Sequence, residues 1–183
     1  GKNIILVGGH YNNWELYAVA LKNHLKFSTY AIYKPLSNKF MDEKMRLTRG
    51  KFGLQLIPMK LTKKYFSETT STPRAIIFAA DQSPSNSKKS YWTTFLNQDT
   101  AVQYGVEKFA LEFNWPVIYG EIRKIKRGHY EIEYKLISDN PSKTQYGEIT
   151  EQHTKELEKS ILKAPEYWLW SHKRWKHKRP ADV

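Results

Sequence analysis

His10 and Glu15, five residues apart, are the pair in this chain best suited to moving a proton. An imidazole takes a proton from a hydroxyl near neutral pH, and a carboxylate beside it stabilises the imidazolium that forms. Two readings of Glu15 are open at this level, and they are not exclusive. In one it holds His10 as a catalytic dyad. In the other it closes a capping box, with Asn12 as N-cap and Glu15 folding back to the first backbone amide. Six further residues could touch a substrate. Arg49 carries a guanidinium fork that matches phosphate, or is a helix C-terminal cation favoured by the dipole. Asn38 is a ligand or an N-cap. Asp81, followed by Gln82, ends an apolar run and either binds substrate or holds the adjacent loop. His172 and Arg174 contact substrate or anionic head groups, or belong to a solvated basic tail. The remaining histidines His24, His129 and His153 read as structural or surface, and no metal site is expected from His172 and His177.

The elements around these residues follow from hydrophobic pattern. Ile4-Ile5-Leu6-Val7 reads as a buried parallel strand, and Trp14, Tyr17, Ala18, Leu21 and Leu25 share a helix face. Gly8-Gly9-His10 therefore stands where a strand gives way to a helix, the edge at which open α/β sheets bind ligands. Residues 27–33 read as a second strand, 39–49 as a helix stopped by Gly50 and Gly53, and 54–58 as a short strand. After a polar helix over 61–70, Arg74 to Asp81 is again a buried strand ending in a polar residue. Residues 82–97, rich in Ser, Pro, Lys and Asn, read as a long mobile loop. Asp99 is expected to cap an amphipathic helix carrying Val102, Val106, Phe109, Ala110 and Phe113. Two alternating strands, 117–124 and 129–137, flank a turn at Lys126-Arg127-Gly128. A charged helix covers 148–163, with Ile149, Leu157 and Ile161 inward. The alternation predicts an α/β fold: a mostly parallel mixed sheet flanked by helices, with an antiparallel hairpin near one side.

Composition narrows the chemistry. The 183 residues suit one domain with a sizeable core. There is no cysteine, which excludes disulfides, thiolate metal sites and a thiol nucleophile. No apolar run is long enough to span a bilayer. A net charge of +12 and a pI near 9.7 attract anionic partners: nucleic acid, an acidic carrier protein or anionic lipid. The tryptophans of the closing stretch, Trp168, Trp170 and Trp175, are either core or interfacial.

Five strings, in order, carry a family resemblance. Gly9-His10-Tyr11-Asn12-Asn13-Trp14-Glu15 resembles the His-X4-Glu motif of glycerolipid acyltransferases. It is most similar to the lipid A biosynthesis (lauroyl/myristoyl) acyltransferase branch. Tyr33-Lys34-Pro35-Leu36-Ser37-Asn38, Arg49-Gly50-Lys51-Phe52-Gly53, Asp81-Gln82 and the stretch from Trp168 to Lys176 are similar to later blocks of the same family. One departure stands out: Phe95-Leu96-Asn97 replaces the family's Phe-Phe-Gly, which bears on the acyl-chain pocket. The resemblance implies that residues 1–183 are a single acyltransferase catalytic domain lacking an N-terminal membrane-anchoring segment. The implied setting is the cytoplasmic face of the bacterial inner membrane, with peripheral attachment or anchoring by that segment.

The implied reaction moves a fatty acyl group from an acyl carrier protein or coenzyme A thioester to a hydroxyl of a lipid acceptor. The acceptor is a lipid A precursor or a lysophospholipid. His10 is the general base and Glu15 its partner; Asn38, Arg49, Asp81, Gln82, His172 and Arg174 bind substrate. No cofactor beyond the acyl thioester, and no nucleic acid partner, is implied. A helix N-terminus beside His10 disfavours its protonated form, while Glu15 pulls the other way. Direct transfer in a ternary complex is expected, since neither a cysteine nor a G-x-S-x-G elbow is present. Two other readings stand beside it: a thioesterase using the same dyad on water, and a non-catalytic nucleic-acid-binding domain. The second has no helix-turn-helix, RNP or zinc-finger pattern behind it.

Overall fold

The structure, a computed structural model, describes residues 1–180. Six strands form one sheet in the order β3-β2-β4-β1-β7-β8. They are β1 (Ile4–Gly8), β2 (Ser28–Tyr33), β3 (Gln55–Pro58), β4 (Arg74–Ala79), β7 (Val117–Lys126) and β8 (His129–Ser138). Every pairing is parallel except β7 with β8, the hairpin at one edge. The expected mixed α/β sheet is therefore the observed one. The central strands β1 and β4 are covered on both faces, which is why they read as unbroken apolar runs.

Five α-helices flank the sheet: α1 (Leu16–His24), α2 (Lys39–Gly50), α3 (Thr62–Ser67), α4 (Gly105–Phe113) and α5 (Glu148–Lys163). On one face Ile5, Val7 and Ile76 pack with Val106 and Ala110 of α4 and Ile149, Leu157 and Ile161 of α5. Phe66 of α3 joins this layer, stacked on Phe109 at 4.7 Å between ring centroids. The other face is thinner: Leu6 and Ile77 meet Ala18 and Leu21 of α1, and Leu54. The helix α2 buries no residue at all.

Two sequence expectations fail here. Residues 82–97 are not one long loop, and Asp99 caps no helix. Tyr91–Phe95 (β5) and Gln98–Val102 (β6) form a separate antiparallel hairpin, with Asp99 opposite Thr94. Its turn is Leu96-Asn97, both with positive φ, 50° and 59°. Such a turn usually announces itself with Asn-Gly; Leu-Asn gives no such signal, so the strands were hidden in polar text. The helix α4 consequently starts six residues after Asp99, at Gly105. It ends with Asn114 in the left-handed conformation.

Candidate active site

β1 and β4 lie side by side in register, with Gly8 opposite Ala79. Each chain runs two residues beyond that pair, to His10 and to Asp81. The connections then part: β1 leads through α1 to β2, whereas β4 leads through the β5–β6 hairpin and α4 to β7 on the opposite side of β1. Such a divergence opens a crevice at the carboxyl ends of the strands. His10 and Asp81 meet in it, with Nδ1 of the imidazole 2.7 Å from Oδ1 of the carboxylate.

Asp81 is held from several sides. Its side chain is 3 % exposed, against 20 % for His10. The Trp168 indole N–H donates to its second oxygen at 3.1 Å. Burial pushes the Asp81 carboxyl up, but the hydrogen bonds from His10 and Trp168 outweigh burial and leave it below the usual carboxylate range. An ionised carboxylate only accepts, so the His10 proton sits on Nδ1 and Nε2 keeps a free lone pair. The Trp14 ring stands edge-on to the imidazole, with centroids 5.4 Å apart.

The expected His10–Glu15 dyad is absent. Residues between His10 and α1 form a turn, with Asn12 at φ 55°, and the helix begins only at Leu16. The turn carries Glu15 out to the rim. There Arg49 grips it with two prongs, Nε to Oε2 at 3.0 Å and Nη2 to Oε1 at 2.5 Å. The capping box does not form either: Asn12 accepts from Asn13 N–H, and Glu15 makes no cap hydrogen bond.

In front of His10 lies a cleft of about 750 Å³ between the sheet edge, α1 and α2. Its floor is apolar, with Leu6, Ala18, Ala31, Leu54 and Ile77; its rim carries His10, Glu15, Arg49 and Gln82. Volume and lining match those of pockets that hold small organic ligands. Of the other expected contacts, Asn38 is the N-cap of α2, accepting from Met41 N–H at 3.1 Å. His172 and Arg174 do not line the cleft. Nor does the Phe95-Leu96-Asn97 departure: Phe95 packs under Trp168 and Arg174, and the next two residues are a hairpin turn.

The solvated-tail alternative for the closing segment is also overturned. Tyr11 bridges to Trp168, and Leu169 N–H donates to the His10 carbonyl. His172 Nε2 accepts from Ser83 N–H at 2.9 Å, which fastens the loop after Asp81. Burial lowers the His172 pKa, consistent with the neutral ring this bond requires. Trp175 N–H donates to Thr100, His177 Nε2–H to the Pro84 carbonyl, and Arg179 pairs with Asp99. The segment lacks regular structure because its polar groups bond outward across the fold, leaving no periodic signal in the sequence. What sequence reasoning missed is the role of Asp81 toward His10; its one hint was that both buried strands end in a polar residue.

Among the described residues, no group of three or more His, Asp or Glu side chains is placed to hold a metal ion. No helix among them is long and apolar enough to cross a membrane. A sequence model of the family described as bacterial lipid A biosynthesis acyltransferase matches residues 1–177. No curated protein matches the chain.

Proposed function

The chain belongs to the bacterial lipid A biosynthesis acyltransferase family and is an acyltransferase; from that premise we propose that His10 and Asp81 are its catalytic pair. The donor in this reading is a fatty acyl thioester of acyl carrier protein or coenzyme A. The acceptor is a hydroxyl of an anionic lipid, a lipid A precursor or a lysophospholipid-like molecule. His10 Nε2 takes the hydroxyl proton as the oxygen attacks the thioester carbon. The carbon–sulfur bond then breaks, and the imidazolium returns its proton to the leaving thiolate. Asp81 fixes the tautomer and stabilises the imidazolium in between. A positioned base of this kind accelerates transfer by roughly 10²–10⁴-fold. No cofactor enters the scheme, and the absence of cysteine favours direct transfer over an acyl-enzyme.

The observation that carries this reading is one imidazole with a buried carboxylate on Nδ1 and a large apolar-floored cleft at its other side. The floor suits an acyl chain. At the rim the Arg49 fork is taken up by Glu15, and in this reading a phosphate of the acceptor exchanges with that exposed carboxylate. The net charge of +12 fits work against an acidic carrier and the anionic cytoplasmic face of the inner membrane, with peripheral attachment. Mass spectrometry of lipid products, with both thioester donors and a set of phosphorylated acceptors, tests the reading. Wild-type protein should acylate at least one acceptor and His10→Ala none; turnover near normal in His10→Ala rejects it, and free fatty acid as the sole product marks a thioesterase instead.

A further inference from the structure

Within the closing segment Arg174 is buried, 4 % exposed, while Lys173, Lys176 and Lys178 around it are exposed. Its guanidinium stands over the Phe95 ring, 5.9 Å from the centroid. Two of its nitrogens, Nε and Nη1, have no protein partner. A cation taken out of water persists only beside a compensating charge. Arg174 lines a small cavity of about 10 Å³, room for about one water molecule. Asp81 is the anion on its wall, and His153 and Thr154, each with an unpartnered side-chain atom, also line it.

Asp81 thus has two neighbourhoods. His10 reaches it from the substrate cleft, and His10 does not line the small cavity. Arg174 faces it across the small cavity and does not line the cleft. We propose that Arg174 is a positioning residue for acyl transfer, whose buried charge holds Asp81 in place and ionised from the side away from the substrates. This rests on the His10–Asp81 reading given above. With Arg174 present, the pair resists taking up the proton that would disable the base.

The other ionisable groups around Asp81 leave this role to Arg174. Burial pushes His153 down to about 4, so that ring is neutral in the working range. His172 is bound as a neutral acceptor to Ser83, with Lys176 beyond it. Burial draws Arg174 itself down to about 10, with Asp81 pushing the other way, so it stays charged.

The test is the pH profile of kcat/KM in the intact protein. Arg174→Met should move the acid limb up by about one pH unit, the scale of a nearby charge. Activity then falls about tenfold at pH 6 and less than about threefold at pH 9, with KM for both substrates within about twofold. Arg174→Lys, which keeps the charge, should bring the limb back to within about 0.3 unit of wild type. A loss equal at every pH, or a limb that moves as far with Lys as with Met, overturns the proposal. Arg174→Gln takes the place of the Met variant if that protein does not fold. Asp81→Asn separates the two levels. If it retains near-normal turnover, the His10–Asp81 reading falls and this inference with it. If it is inactive while the Arg174 variants keep the wild-type limb, this inference alone falls.

Discussion

Two carboxylates serve the cleft, Glu15 on its rim and Asp81 behind His10, and they are built oppositely. Asp81 is 3 % exposed and bonded to His10 and Trp168, groups that come from distant parts of the chain. Glu15 is 48 % exposed and bonded to Arg49, itself 28 % exposed. A buried carboxylate with its lone pairs occupied cannot turn away, and breaking its bonds leaves an uncompensated charge. An exposed ion pair contributes only about 0.2–1 kcal/mol and exchanges readily with another anion. Under the proposed function, the contrast assigns rigidity to the pair proposed to move the proton and exchangeability to the pair proposed to meet a lipid phosphate. It also explains why the glutamate nearer in sequence to His10 is not its partner: the turn before α1 places Glu15 in solvent, where it serves Arg49 better.

Breaking the buried side should have the largest effect. Asp81→Asn keeps the shape but lets the amide favour the wrong imidazole tautomer, and turnover should fall by about 10³-fold or more with KM little changed; steady-state kinetics with saturating donor reads it out. The neighbouring His153 sharpens the same side through stability. Its pKa falls from an ordinary 6.5 to about 4 on burial. The unfolded chain therefore takes up a proton first as pH drops below 6.5, and this group's share of the stability loss is about 2 kcal/mol by pH 5. His153→Leu should lose about 2 kcal/mol less than wild type between pH 7 and pH 5 in urea denaturation; equal slopes would mean that the ring is solvated.

Effects on the exposed side should be smaller and fall on binding. Arg49→Lys replaces a fork with a point charge and should raise KM for a phosphorylated acceptor about tenfold, or about 1.4 kcal/mol, with donor KM unchanged. Glu15→Gln should change kcat by no more than about threefold, because the exposed pair supplies orientation and not the proton relay. A loss on Glu15→Gln as deep as that on Asp81→Asn would erase the contrast and restore Glu15 as the catalytic partner.

Much of this molecule was legible from residue order. β1, β4, the β7–β8 hairpin and α5 follow from apolar runs, alternation and helical spacing. Those patterns survive because each element buries a face locally determined by its own residues. The His10 loop at a strand end was legible for the same reason. The β5–β6 hairpin was not, because its turn uses Leu96-Asn97 in place of the usual glycine signal. The closing segment was not, because its bonds run to loops far away in sequence.

The sequence by itself determined that a histidine and an aspartate each end a buried strand, in a basic chain without cysteine. Only the tertiary structure decided that these two strands are neighbours, with Gly8 opposite Ala79, so that His10 and Asp81 come within 2.7 Å. Periodicity records which face of a strand is buried, but strand order and register come from the competition of all strands for partners. That competition, and not proximity along the chain, chose the carboxylate that holds the imidazole.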